Sequence, residues 1–92
     1  MADMDFRFSG IQRLYGLVGF EKIRQSHVCV VGLGGVGSWA VEALARTGVG
    51  EVTLVDYDDI CVSNTNRQLV ATQSHIGLMK TQVLKDRVLD IN

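Results

Sequence analysis

The stretch from Val28 to Ala40, VCVVGLGGVGSWA, decides how the chain is read. A valine-rich apolar run ends at Gly32, and Gly34 and Gly37 follow with the spacing G-x-G-x-x-G. Each glycine has its own task in such a turn. Gly32 permits a sharp exit from a strand, Gly34 lets the backbone approach a phosphate, and Gly37 lets the next helix pack close to the sheet. The helix start then offers unpaired N–H groups and a partial positive charge to an anion. Glycines alone also serve ordinary turns. Here the motif follows a strand, opens a helix, and is followed about 20 residues later by an acid, Asp56, and that context points to a bound nucleotide.

Working outward, HVCVVG (27–32) reads as a buried parallel strand, with Cys29 as a small core residue. From Gly35 to Thr47, apolar residues recur with the helical period at Val36, Trp39, Ala40, Ala43 and Leu44, and Gly48 is placed as the stop. EVTLVD (51–56) is a second strand, and YDDICVSNTNRQ (57–68) is a polar loop with room for a short helical turn. GLMKTQVLKDRVLDIN (77–92) closes with a helix that puts Met79, Val83 and Leu84 near one face with Val88 and Ile91. Ahead of the first strand, FRFSGIQRLYGLVGFEKIRQS suits one or two short helices broken near Gly16 and Gly19.

The order helix, β, α, β, loop, α gives an α/β fold class: the N-terminal part of a Rossmann-like doubly wound parallel sheet, preceded by a short helical segment. The expected organisation is a single partial domain over 1–92, with a helical segment at 1–26 and a nucleotide-binding β-α-β-α unit at 27–92. Two strands do not make a stable open sheet alone, so the unit is expected to continue past residue 92.

The bulk numbers exclude some classes. Ninety-two residues make one domain at most, and 47% hydrophobic with 21% charged residues is ordinary for a globular protein. A net charge of −1 provides no global basic field for nucleic acid and leaves only a local patch for RNA. No apolar run approaches the length of about 18 residues that a membrane span needs. The opening MADMDFRFSG lacks the apolar segment of a secretory signal. Cys29 and Cys61 form no C-x-x-C pair, and a reducing cytoplasm is the natural setting. Cys61 reads as a loop residue, and His27 and His75 need no catalytic role.

Asp56, at the end of the second strand, is placed to accept hydrogen bonds from ribose hydroxyls. A dinucleotide dehydrogenase would satisfy everything so far. The cations that follow argue for a triphosphate. A pyrophosphate cofactor is content with a helix dipole and backbone amides, whereas a triphosphate losing pyrophosphate builds more negative charge and needs fixed cations. SNTNRQ supplies Arg67, flanked by the amides of Asn64, Asn66 and Gln68. Lys80 arrives in the first turn of the last helix, where a lysine does not complement the helix dipole.

Across residues 6 to 92, the segments VVGLGGVGSWA, EALARTGVGEVTLVDYDD and NTNRQ together resemble the E1-like ThiF/MoeB/HesA superfamily of adenylating enzymes. GSWA…EALARTG, NTNRQ and the leading RFSGIQRLYG look like one branch, the tRNA threonylcarbamoyladenosine dehydratases, while the sulfur-carrier-activating branch usually has Leu at the place of Thr65. The resemblance implies an enzyme of the ligase type that binds ATP with Mg2+ and adenylates the carboxylate of threonylcarbamoyl-adenosine at tRNA position 37, after which the ring closes and AMP leaves.

It also implies roles for residues of this chain. Gly32, Gly34, Gly35 and Gly37 would line the nucleotide, Asp56 would hold the ribose, and Asp58 would be a second acid nearby. Asn64, Arg67 and Lys80 would contact the phosphates. Arg13, in QRLYG, would reach the nucleotide site of a second copy in a homodimer. The resemblance places the magnesium-binding aspartate beyond residue 92, so no metal ligand is expected in this chain and the 92 residues alone are expected to be inactive. Modified tRNA is the implied substrate, a sulfur-transfer protein a further implied partner, and no membrane is involved. Two other readings remain at this stage: adenylation of the C-terminal glycine of a ubiquitin-like sulfur carrier, and an NAD-binding oxidoreductase domain.

Overall fold

The structure is a computed structural model that describes residues 6–92. Helix α1 (Ser9–Arg24) leads into strand β1 (His27–Val31), helix α2 (Gly37–Thr47), strand β2 (Glu51–Val55) and helix α3 (Lys80–Ile91). Short 3-10 turns at Val62–Asn64 and Gln73–His75 lie in the connection between β2 and α3. The two strands pair in parallel with His27 opposite Glu51 and Val31 opposite Val55, as a helical crossover requires.

Several expectations need correction. The first strand is not buried through its length. His27, Cys29 and Val31 are exposed while Val28 and Val30 are half-buried, and β2 alternates in the same way. Successive side chains of a strand face opposite sides, and among the described residues helices cover one side of this sheet. Cys29 is therefore an exposed cysteine and not a core residue.

The buried face of α2 also differs. Ser38, Val41 and Ala45 point inward, while Val36 (84% exposed) and Trp39 (52%) point out. The periodicity was real, but Ala40 and Leu44 sit half-buried beside the inward ridge, Ala43 is exposed, and two small residues, Ser38 and Ala45, are fully buried with Val41. Gly48 ends α2 in a left-handed conformation (φ 96°), as expected. In α1 the helix breaks at Gly16, whose φ of 78° and ψ of 169° are open to glycine, but it runs unbroken through Gly19. Met79 precedes α3 and is half-exposed, so the inward face is Lys80, Val83 and Leu84, with Val88 partly buried.

The core joins α2 and α3 to the long connection between β2 and α3. Leu33, Val41, Ile60, Val70, Ala71, Val83 and Leu84 form one buried cluster, with Val30 and Leu54 packed against it from the sheet. Ile60 is stitched to the entry of α3, its N–H donating to Leu78 O (2.8 Å) and its carbonyl accepting from Gly77 N–H (2.8 Å). The polar connection is in this way fixed to the core, because its apolar residues fill it and backbone groups such as those of Ile60 are paired.

One ion cluster clamps α2 to α3. Arg87 donates from Nε (2.6 Å) and Nη2 (3.0 Å) to Glu42, and Arg46 donates from Nε (2.6 Å). The Arg87 hydrogen bonds, against the opposing effect of burial, pull the Glu42 carboxyl from its ordinary 4.5 down to about 2. A carboxyl depressed by folding stabilises the protein above its unfolded pKa, and that contribution is lost as pH falls from 4.5 through 2. Glu42→Gln is expected to cost roughly 1–2 kcal/mol at neutral pH, after discounting the half-exposed arginines for solvent screening. Denaturant titrations of both proteins from pH 7 to pH 2 check this, and a difference that persists unchanged into the acid range would contradict it.

Candidate functional site

The glycine turn hangs from the C-terminal ends of both strands. Gly32 leaves β1 with φ 89° while its N–H donates to Val55 O (2.8 Å). Leu33 then plugs the core, fully buried, and its N–H donates to Asp56 Oδ2 at 2.7 Å. The other carboxylate oxygen, Oδ1, accepts the Asp58 N–H at 2.7 Å. Asp56 therefore fixes two loops to each other as well as presenting a charge. Burial works against that charge, but the N–H groups of Leu33, Asp58 and Tyr57 and the nearby Lys80 outweigh it and hold its carboxyl below the usual range.

Ser38, in the first turn of α2, closes the cradle from behind. It is fully buried, its hydroxyl donates to Gly34 O (2.6 Å), and its oxygen accepts the Leu69 N–H (3.3 Å). Gly37 touches the strand end so closely that a Cβ there would stand 1.8 Å from Gly32 O. Among the described residues, the N–H groups of Gly34, Gly35, Val36 and Gly37 donate to no protein acceptor. Four unpaired backbone donors at the start of a helix, three of them on glycines that carry no side chain of their own, are the groups from which an anion site can be built.

Two cations flank this turn, Arg67 against Gly35 and Lys80 beside Asp58. The aliphatic part of Arg67 lies over Gly35, with a Cβ on that glycine meeting Arg67 Cγ at 3.4 Å. The guanidinium is exposed, and its Nη1 donates to Ser63 O (3.2 Å) and Asn66 Oδ1 (2.9 Å). Trp39 Nε1 donates to Arg67 O at 3.0 Å and pins its backbone to α2. Lys80 is 5% exposed, so it is no solvated helix-face lysine. An isolated bridge between Asp59 and Met79 brings its helix start beside the β2 exit, and its Nζ stands 4.0 Å from Asp58 Oδ2. Lys80 is thus a largely buried lysine whose one ion-pair partner is loose and exposed, and its charge acts on Asp56, the residue that holds the glycine turn.

Asn64 is 8% exposed and has a local task. Its Oδ1 accepts the Cys61 N–H (2.9 Å) and its carbonyl accepts from Arg67 N–H (3.2 Å) and Gln68 N–H (2.9 Å), so it shapes the turn that carries Arg67. Arg13 is not brought to the cradle: it is exposed on α1, and no hydrogen bond or ion pair joins it to the glycine turn among the described residues. His27 meets Thr53 on the open sheet face and His75 meets Thr72 Oγ1 at 2.8 Å, both apart from the cradle. A groove of about 370 Å3 between β2 and α3, lined by Val52, Leu54, Thr81 and Val88, contains none of the site residues.

Sequence reasoning missed Ser38. A serine inside a helix start carries no signal by itself, and only its contact with Gly34 O gives it meaning. Nor did it foresee the hydrogen bond from Trp39, which joins residues far apart in the chain.

The family model described as ThiF family matches residues 9–92. The chain is 59% identical over 86 residues to a tRNA threonylcarbamoyladenosine dehydratase of Haemophilus influenzae, an overlap of 94% of this chain and 33% of the relative. It is 49% identical over 86 residues to the enzyme of the same name from Bacillus subtilis, covering 94% of this chain and 34% of the relative. The crystal structure of the Escherichia coli tRNA N6-threonylcarbamoyladenosine dehydratase in complex with ATP superposes with a TM-score of 0.94 at 53% identity, over 96% of this chain and 36% of that one. The chain spans about a third of the length of the curated relatives it matches. Its helix and two parallel strands correspond to the N-terminal Rossmann-like part of the dehydratase structures.

Proposed function

The chain belongs to the ThiF family, and from that premise we propose that it forms the nucleotide-binding part of an ATP-dependent tRNA threonylcarbamoyladenosine dehydratase. The observation that carries this reading is a pair of cations flanking the glycine turn and Asp56: Arg67 laid over Gly35, and Lys80 buried at the start of α3 beside Asp58. A redox dinucleotide keeps its pyrophosphate intact and has no need of either. Similarity to relatives that carry the dehydratase name favours threonylcarbamoyl-adenosine in tRNA over a carrier-protein glycine as the carboxylate acceptor.

The residues divide the work as follows. The free N–H groups from Gly34 to Gly37 bind the phosphates, with Gly32 setting the turn, and Asp56 holds the ribose with the lone pairs left free by Leu33 and Asp58. Asn64 holds the turn in which Arg67 sits, and Arg67 and Lys80 stabilise the charge that moves toward the leaving pyrophosphate. Asp58 keeps Lys80 oriented. Adenylation replaces an oxide leaving group with AMP, and no nucleophilic side chain is needed for that step.

Magnesium would accompany the triphosphate; among the described residues no three histidine, cysteine or acidic side chains converge to hold it. Arg13 acts on a second copy in a homodimer, in keeping with the exposed Leu14, Leu17 and Val18 on the same helix. A sulfur-transfer protein is a further partner. The setting is the cytoplasm, and among the described residues no helix is long and apolar enough to cross a membrane.

Two measurements test this reading. In isothermal titration of the full-length protein, Mg-ATP is expected to bind and NAD is not; tighter binding of NAD would overturn the nucleotide assignment. AMP release is expected to depend on tRNA bearing threonylcarbamoyl-adenosine, and dependence on a carrier protein instead would overturn the substrate.

A further inference from the structure

Gln68 follows Arg67 and is 93% removed from solvent, with a relative exposure of 7%. Its backbone is fully used, the N–H donating to Asn64 O (2.9 Å) and the carbonyl accepting from Ala71 N–H (3.1 Å). Its side chain is not. Oε1 is buried and has no hydrogen-bond partner, the one buried side-chain atom in that condition among the described residues. The carboxamide nitrogen lies at the glycine turn, 3.9 Å from where a Cβ on Gly34 would stand. Gly34 is the residue whose missing side chain lets a phosphate approach, and its own N–H is unpaired. Oε1 is an acceptor and cannot meet a phosphate, so the end of the amide left for a ligand is Nε2, which lies at the turn and donates to no protein acceptor among the described residues; an apolar side chain of the same length would fill the space without the cost of the orphaned oxygen.

We infer that Gln68 is a nucleotide-contacting residue: its Nε2–H donates to a phosphate oxygen in the glycine cradle, beside the backbone N–H groups of Gly34 to Gly37. The inference rests on the ATP reading above. It adds a neutral donor to a set otherwise made of backbone amides and two cations. A neutral amide reads the position of an oxygen without adding charge, so Gln68 fixes where the phosphates sit while Arg67 and Lys80 respond to the charge that develops. It is kept at the cradle by the same turn that presents Arg67, since Asn64 O accepts both N–H groups.

The test uses two near-isosteric variants of the full-length protein, with thermal unfolding without ligand and titration with Mg-ATP as readouts. Gln68→Met removes the amide and keeps the volume. The ligand-free protein is expected to melt at the same temperature as wild type or higher, because an unpaired buried polar group is gone, while ATP affinity falls about tenfold with the loss of a hydrogen bond to a charged group. Gln68→Glu keeps the shape and places a carboxylate against the phosphates, so its affinity is expected to fall further than that of the Met variant. A structural role would move melting and affinity down together in Gln68→Met, and that result overturns the contact. So does unchanged ATP affinity in Gln68→Met, or a Glu variant that binds ATP as well as the Met variant. If Gln68→Met does not fold, the Glu variant decides alone: undiminished ATP affinity overturns the contact. If wild type itself does not bind Mg-ATP, the functional reading fails and the contact falls with it, an outcome distinguished from failure of the contact alone because that shows only in the variants.

Discussion

Arg67→Ala is expected to slow adenylation by about 10² to 10³ while changing ATP binding far less, a barrier increase of roughly 2–4 kcal/mol. In the transition state negative charge moves from the α-phosphate toward the departing pyrophosphate, so a cation over the cradle acts more strongly there than in the ground state. Arg67 is placed for this. Its methylenes rest on Gly35, its carbonyl is held by Trp39, and its guanidinium is loosely parked on Ser63 O and Asn66 Oδ1, from which it can swing without breaking the fold.

Asp56→Ala is expected to behave differently. Ribose does not change during the reaction, and losing the carboxylate also releases the Leu33 N–H that holds the glycine turn. Both effects weaken ATP binding, so the Michaelis constant for ATP should rise more than turnover falls. Steady-state kinetics of AMP release with modified tRNA, run on both variants of the full-length protein, separate the roles. A pure Michaelis-constant effect for Arg67→Ala with a pure turnover effect for Asp56→Ala would show the assignment to be reversed.

Gly37→Ala is expected to cost about 3 kcal/mol or more of stability, beyond the usual penalty for overpacking, and to abolish nucleotide binding. The reason is geometric. The added methyl would stand 1.8 Å from Gly32 O and 2.9 Å from Gly32 C, backbone atoms of the turn that starts the cradle, so no side-chain rotation can relieve the overlap. Either the start of α2 lifts away from β1 or the turn opens, and both displace the free N–H groups. Denaturant unfolding and ATP titration of the variant test this. Gly10→Ala, where an added methyl would meet nothing within 4 Å, is the control expected to leave both nearly unchanged. A Gly37→Ala protein as stable as the control would refute the close-packing account.

Much of this was written in the local sequence. The strand, glycine turn, helix and second strand follow from valine runs, the G-x-G-x-x-G spacing, a helical period and a helix-stopping Gly48, all of which act over a few residues through backbone sterics and hydrogen bonding. The acid at Asp56 and the cations Arg67 and Lys80 were legible for the same reason, since a charged residue at a strand end or helix start stands out against its neighbours. Burial was not legible in this way. Cys29 in a valine run looked internal and is exposed, because strand alternation turns it to the uncovered side of the sheet. Val36 and Trp39 looked like the inward face of α2, whereas Ser38 and Ala45, small enough for close contact, are what the fold buries. Lys80 could have been a solvated lysine; the bridge from Asp59 to Met79 is what carries it to 5% exposure beside Asp58. Gln68 read as one more polar loop residue, whereas the folded connection buries its carboxamide oxygen and leaves the nitrogen at Gly34. Local sequence sets backbone conformation, but which side chains lose their water depends on contacts between residues distant in the chain, and those exist only once the tertiary structure has closed.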